Sequence, residues 1–350
     1  MRKFLFVFVI LTVVTMLSAC GGGGGDESTP TNNTGGDINS ARLSGSYFLA
    51  EFGNETTSSG LPWTARGNLT ADGQGASIYQ VNQISRGTTG TLNFPYSVTA
   101  QSLLSIGSGA AMSTGQLSAD GQYFHLLDSD KTDQDVILRV GIKKAVGLSS
   151  STLSGEYEVY SLGGNLDGSI RTIRMKLAAD GHGAGIWTVL AHSDGNLEAG
   201  NAAYAVVADG GLTLDGMAGQ VSADGSVFLV ADTNNPNGDI QIMIGVKKSS
   251  GKTNANLAGT YHFVETGEEN GTPWASRLTL VANGNGTGTY SVLADSDGGS
   301  GTGGSTYTVN SDGTFTLDSM SGILSMDGNF LVVVDTDRAD SVLKMMVGIK

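Results

Sequence analysis

Leu43-Ser44-Gly45-Ser46-Tyr47 returns as Leu153-Ser154-Gly155-Glu156-Tyr157 and again as Leu257-Ala258-Gly259-Thr260-Tyr261, at offsets of 110 and 104 residues. Three further motif sets keep the same order. Arg66, Leu69 and Asp72-Gly73-Gln74-Gly75 match Arg174, Leu177 and Asp180-Gly181-His182-Gly183, and then Arg277, Leu280 and Asn283-Gly284-Asn285-Gly286. Gly115 to Gly121 matches Gly219 to Gly225 and Gly322 to Gly328. Each unit closes on Gly141-Ile142-Lys143, Gly245-Val246-Lys247 or Gly348-Ile349-Lys350. Ordered motifs repeated in this way define three units, 43–144, 153–248 and 257–350. The linkers Ala145–Thr152 and Ser249–Asn256 are short and rich in Ser, Asn and Thr.

Within a unit the hydrophobic period is two. Val136, Leu138, Val140 and Ile142 alternate with Ile137, Arg139, Gly141 and Lys143, and Leu343, Met345, Val347 and Ile349 alternate with Lys344, Met346, Gly348 and Lys350. That is the pattern of a half-buried strand. Unit 3 reads as eight strands near 259–265, 276–282, 286–294, 305–310, 314–318, 321–325, 329–335 and 342–350. The turns between them carry Asp-Gly or Asn-Gly at Gly73, Gly121, Gly181, Gly225, Gly284, Gly313 and Gly328, which predicts type I′ hairpins. Eight antiparallel strands per unit predict an all-β chain of three small closed barrels or sandwiches, since closure removes sheet edges. A six-bladed propeller with two blades per unit is the alternative. The opening Leu-Ser-Gly-x-Tyr loosely resembles the first strand of avidin- and lipocalin-type barrels, and carries no ligand-binding residue with it. Phe330 to Val334 and Val227 to Ala231 are apolar on both faces. Such strands need a second neighbour beyond their own core, so they are expected to join successive units.

Composition narrows the function. The 350 residues include 53 Gly, about twice ordinary usage, without a Gly-X-Y period. A net charge of −14 argues against nucleic-acid binding, which needs a basic footprint. A single Cys excludes a disulfide framework and a thiolate metal cluster.

That Cys sits in a telling place. Met1-Arg2-Lys3 is a short basic segment, and the apolar run from Phe4 to Met16 follows. As a helix the run would rise only about 20 Å, too short for a hydrocarbon core of about 30 Å. It fits a signal peptide, residues 1–19. Leu17-Ser18-Ala19-Cys20 then resembles the bacterial lipobox. The resemblance implies cleavage before Cys20, a diacylglycerol thioether on Cys20 and an acylated amine, which together give stable anchoring. It also implies a bacterial cell-envelope lipoprotein. By the same resemblance, Gly21 after the Cys implies the outer membrane, on either the periplasmic or the surface face. Residues 20–42 read as the lipidated Cys and a flexible, Gly-rich tether.

Candidate chemistry is sparse. There is no Gly-x-Ser-x-Gly elbow, His-Glu-x-x-His, P-loop or Cys-x-x-Cys-His, and no two of His125, His182, His192 and His262 are equivalent in the repeats. Acidic loops are the better signal: Asp128, Asp130 and Asp133 in unit 1, and Asp335, Asp337 and Asp340 in unit 3. Alternate acids can supply several of the hard oxygens that Ca²⁺ requires, or can form Asx turns. Pro62-Trp63 with Arg66 is matched by Pro273-Trp274 with Arg277, and unit 2 keeps only Arg174. An outward Trp/Arg pair would stack a sugar or an aromatic ligand; a Trp closing a barrel end is the structural alternative. Together these features predict a lipid-anchored, non-catalytic binding or adhesion module with a glycan or protein ligand. A purely structural envelope lipoprotein and an envelope glycan hydrolase are the competing classes.

Overall fold

The structure is a computed structural model and describes residues 39–350 apart from 57–59, 132–134, 166, 235–238 and 341, with the side chains of 110 and 340 also outside it. Cys20, the lipobox, the tether up to residue 38 and Asp133 therefore lie outside the described residues. Three closed antiparallel barrels of eight strands each follow one another along the chain. Barrel 1 comprises β1 (Ser44–Glu55), β2 (Pro62–Asp72), β3 (Ala76–Ile84), β4 (Gly90–Val98), β5 (Leu103–Ile106), β6 (Ser113–Leu117), β7 (Tyr123–Asp128) and β8 (Asp135–Lys143). Barrel 2 comprises β9 (Ser154–Gly164), β10 (Ile170–Asp180), β11 (Ala184–His192), β12 (Ala199–Val206), β13 (Gly211–Leu214), β14 (Met217–Val221), β15 (Val227–Asp232) and β16 (Ile240–Lys247). Barrel 3 comprises β17 (Gly259–Glu269), β18 (Thr272–Ala282), β19 (Thr287–Asp295), β20 (Thr302–Val309), β21 (Thr314–Leu317), β22 (Met320–Leu324), β23 (Phe330–Asp335) and β24 (Val342–Ile349). Each first strand pairs with the last strand of its own barrel, so every barrel is closed and the propeller alternative is excluded.

The repeated motifs build the floor of each barrel. A short 3₁₀ turn (Ser40–Arg42, Ser150–Thr152 or Asn254–Leu257) runs under it, and Leu43, Leu153 or Leu257 is fully buried there. Gly45 and Gly155 (φ 93° and 100°) make a left-handed step that only glycine takes without strain. The Tyr47, Tyr157 and Tyr261 hydroxyls donate across the floor to the carbonyls of Gly121, Gly225 and Gly328, at 2.9, 2.6 and 2.8 Å. The closing Gly-x-Lys is structural too. A Cβ on Gly141 or Gly245 would stand 2.3 or 2.1 Å from the ring of Phe124 or Phe228. Lys143, Lys247 and Lys350 lie over the Tyr47, Tyr157 and Tyr261 rings at 5.8, 5.9 and 5.7 Å.

Two sequence expectations are corrected. The seven Asp-Gly and Asn-Gly turns named above are not type I′, because that turn needs two successive positive φ values and only their glycines have one. Ser118 to Gly121 is instead a type I turn closed by a left-handed Gly, with Gly121 N–H on the Ser118 carbonyl at 2.9 Å. Asp120 braces it by accepting from Gln122 N–H at 3.0 Å. Type I′ geometry occurs at Asp215-Gly216 (φ 48° and 84°), between β13 and β14, and at Asn270-Gly271 (φ 52° and 77°). The second pair joins β17 directly to β18, so both strands run further than expected and Trp274 lies inside a strand. The polar neighbours Glu268, Glu269 and Thr272 mask this hairpin in the sequence.

The doubly apolar strands do join the units. One apolar cluster draws from all three barrels, including Phe52, Leu138 and Tyr123 of barrel 1, Leu229 and Ile244 of barrel 2, and Phe330 and Val332 of barrel 3. It lies outside the three barrel interiors, which form their own clusters. The contacts are cyclic: β1 and β2 meet β15 and β16, β9 and β10 meet β23 and β24, and β17 and β18 meet β7 and β8. Unit 3 therefore packs on unit 1 as well as on unit 2, giving a closed, pseudo-threefold triad.

The triad is not exact. Thr64 and Thr172 donate through their hydroxyls to the carbonyls of Asp232 and Asp335, each at 2.6 Å. The equivalent residue in barrel 3 is Ala275, which has no hydroxyl to donate. That third interface instead holds His125, whose Nε2 lies 2.9 Å from the carbonyl of His262 and so carries the proton. Burial drives the His125 pKa from 6.5 down to about 3. The folded protein thus binds no proton at His125 between those values while the unfolded chain does. Its contribution to stability is full above about pH 6.5 and is lost as pH falls toward 3, at up to about 1.4 kcal/mol per unit. His125→Leu, which copies Leu229 of barrel 2, is expected to flatten this slope. Urea unfolding of parent and variant at pH 7 and pH 5 measures it, and equal losses in both would contradict it.

Candidate functional site

Among the described residues, each barrel has a cavity toward the end opposite its floor, its mouth. The β1–β2, β3–β4, β5–β6 and β7–β8 connections of barrel 1, with their counterparts in barrels 2 and 3, rim the mouths. Mouth loops of neighbouring barrels touch: Lys131 pairs with Asp297, and Arg338 pairs with Asp194 at 2.8 Å. Together with the Thr64 and Thr172 bonds, these contacts put all three mouths on one face of the body.

The predicted site residues divide accordingly. Trp63 lines the mouth of barrel 1, with Nε1 donating to Asp135 Oδ1 at 3.3 Å. Gly53, opposite it across the ladder, makes room: a Cβ there would stand 2.1 Å from the indole. Arg66, three residues on, points to the other side of β2, bonds Gln83, and feels the field of Asp232 in barrel 2. Trp274 likewise lies on the inner face, under Lys344 at 5.6 Å. Arg277 lies on the outer face toward barrel 1, near enough to His125 to repel its proton. Arg174 of barrel 2 pairs with the fully buried Glu158, which Lys248 also reaches at 3.4 Å. The expected outward Trp/Arg pair is therefore not assembled. Strand alternation separates positions three apart, sending the indole into the mouth and the guanidinium into the inter-barrel seam.

The acidic loops are turns and clasps. Asp128 Oδ1 accepts from Asp130 N–H at 3.3 Å, and Asp335 Oδ1 accepts from Asp337 N–H at 3.0 Å. Asp337 Oδ1 in turn accepts from Ala339 N–H at 2.9 Å. Cations inside these loops, Lys131 and Arg338, reach the next barrel. Among the described residues no three His, Cys, Asp or Glu side chains converge as a metal site. Asp133 and the Asp340 side chain lie outside those residues.

The interiors hold polar pairs that sequence reading missed. In barrel 1, Arg139 Nε donates to Glu51 Oε2 at 2.8 Å, and Tyr79 donates to the same carboxylate. Burial and the Glu51 charge raise the Tyr79 pKa far above its ordinary value, so the phenol stays a donor. In barrel 3, Glu265 accepts from Ser276 at 2.6 Å and faces Lys344 at 3.3 Å. Barrel 2 carries neutral residues at the corresponding places: Ser161 takes the Glu position, and Met243 lies opposite it where barrel 1 has Arg139. Only strand register brings such pairs together, across some 80 residues of chain. The cavities measure about 240, 420 and 270 Å³ in barrels 1, 2 and 3.

No family model and no curated protein matches the chain. Among solved structures, transferrin binding protein B from Haemophilus parasuis Hp5 is similar at 9% identity, covering 87% of this chain and 75% of that one with a TM-score of 0.27. The isotype 1 transferrin binding protein B of Neisseria meningitidis serogroup B is similar at 10% identity, covering 88% and 77% with a TM-score of 0.26. A DUF3598-family protein of unknown function from Nostoc punctiforme is similar at 11%, covering 56% and 95% with a TM-score of 0.23. Scores this low establish no shared arrangement, and no function passes from those proteins to this one. Among the described residues no helix is long and apolar enough to cross a membrane, which says nothing about strands.

Proposed function

We propose that the chain is a lipid-anchored, non-catalytic binding module of the bacterial cell envelope, held at the outer membrane through Cys20. The tether spaces the triad from the lipid through residues 21–38, since Ser40–Arg42 belong to the floor of barrel 1. The three mouths offer one face to a glycan or protein partner, with Trp63 and Trp274 on it. One observation supports a binding role above the others. The floors repeat the same residues, whereas the mouths differ from barrel to barrel. Constant scaffolds carrying variable ends are how rigid folds present contact surfaces. Arg66 and Arg277 serve the seams in this reading. A Ca²⁺ role for Asp128, Asp130, Asp133, Asp335, Asp337 and Asp340 stays a secondary proposal, tested by calcium calorimetry.

The anchor is testable directly. Cys20→Ala is expected to abolish incorporation of a labelled fatty acid and to shift the protein from the membrane to the soluble fraction. Unchanged labelling would refute the anchor. A glycan array and surface crosslinking, run on parent and Trp63→Ala/Trp274→Ala, then separate a binding face from a purely structural body.

A further inference from the structure

We infer that barrel 2 alone is a small-molecule site, and that it takes an uncharged, apolar, ring-bearing ligand. This goes beyond the proposed surface role and needs neither the anchor nor a macromolecular partner.

Four differences from the sister barrels carry the inference. Barrels 1 and 3 fill their interiors with ion pairs, Glu51 with Arg139 and Glu265 with Lys344. Barrel 2 has Ser161 and Met243 at the first of these positions, and Ser161 is satisfied by Gln241 at 2.8 Å. No charged group is left in the depth of the barrel to be desolvated by an apolar guest. The second difference is the gate: where barrels 1 and 3 set Trp63 and Trp274 on their second strands, barrel 2 sets Arg171. The third is size. The barrel 2 cavity, at about 420 Å³, falls in the range of ligand pockets, roughly 300–1,000 Å³, and the other two fall below it.

The fourth is the lining. Met175, Met217 and Met243 line the cavity with Trp187, and barrel 3 keeps Met320 and Met346 but has Leu278 and Tyr290 in place of Met175 and Trp187. Thioethers are polarizable, adapt their shape and favour aromatic partners. Ligand charge follows from the rim. Arg171 is already held by Asp239 at 3.0 Å and by Asn165 at 2.9 Å. Glu198, Asp215 and Asp239 outnumber it, and burial lowers the His192 pKa, keeping that ring neutral. A carboxylate ligand would meet net negative charge. The Arg171 Nε is buried beside Gly163 and has no acceptor, so it is shielded from the cavity that Arg171 lines.

The test is titration of the full-length chain carrying Cys20→Ser, so that no acyl chain takes up the probe, with 1-aminoanthracene. The parent is expected to bind it saturably, one per chain, with energy transfer from Trp187 that Trp187→Phe removes. Ser161→Glu/Met243→Arg, which installs the barrel 1 pair, should weaken binding at least about tenfold. Arg171→Trp, a rim change, should do the same and serves if the double variant misfolds. Anthracene-2-carboxylate should bind the parent at least about tenfold more weakly. Absence of saturable binding, unchanged affinity in folded Arg171→Trp, or equal binding of the carboxylate would each overturn the inference. None of these outcomes bears on the fatty-acid labelling that tests the anchor.

Discussion

Phe330→Ala is expected to lower the stability of the whole three-barrel body by about 3–5 kcal/mol, the usual cost of emptying a large buried aromatic site. Phe330 is on β23 of barrel 3, fully buried, and its ring lies 5.1 Å from that of Tyr123 on β7 of barrel 1. Its side chain belongs to the cluster that all three barrels share, not to the interior of barrel 3. A hole there weakens every seam, because the contacts run in a ring and no barrel can move without opening two of them. The parent should therefore unfold in one transition. The variant should unfold earlier, either in one transition or with barrels released separately. Differential scanning calorimetry measures both quantities. A shift below about 1 kcal/mol would mean that the barrels are independent and the shared core is incidental.

The second large effect is expected inside barrel 1. Arg139→Met should cost about 3–5 kcal/mol at pH 7, since it leaves the Glu51 carboxylate buried without its cation. Glu51 is 4% exposed, and Arg139 also lies 3.9 Å from Asp128. An unpaired buried carboxylate has a raised folded-state pKa. The deficit should then shrink as pH falls and the carboxyl protonates, so the variant loses less at pH 5 than at pH 7. Glu51→Ser/Arg139→Met should recover most of the loss, because barrel 2 already houses Ser161 and Met243 in these places. Urea unfolding of the two variants at both pH values checks this. A double variant no more stable than Arg139→Met would show that the deficit comes from packing rather than from the unpaired charge.

Both predictions rest on features that were unequally legible in the chain. The four motif sets mark three units, and their spacing with period-two alternation leads to eight strands per unit. Phe330 to Val334 announces by its double apolarity that a second surface covers it. Nothing local announces which surface. That β17 and β18 of barrel 3 pack back on β7 and β8 of barrel 1 depends on how three rigid bodies close a ring.

The mouth residues show the same division at finer grain. Trp63 and Arg66 look like a pair because they stand together in the sequence, yet alternation puts them on opposite faces of one strand. Glu51 and Arg139 look unrelated, 88 positions apart, yet the β1–β8 register sets them directly opposite. Sequence by itself determined the repeat, the strands, the floor motifs and the position of the sole Cys, because these follow from short-range periodicity and turn chemistry. Only the tertiary structure decided which faces point inward, which charges meet, and that barrel 2 is left without an ion pair at its core. Register and closure join residues far apart in the chain, and no local pattern encodes that distance.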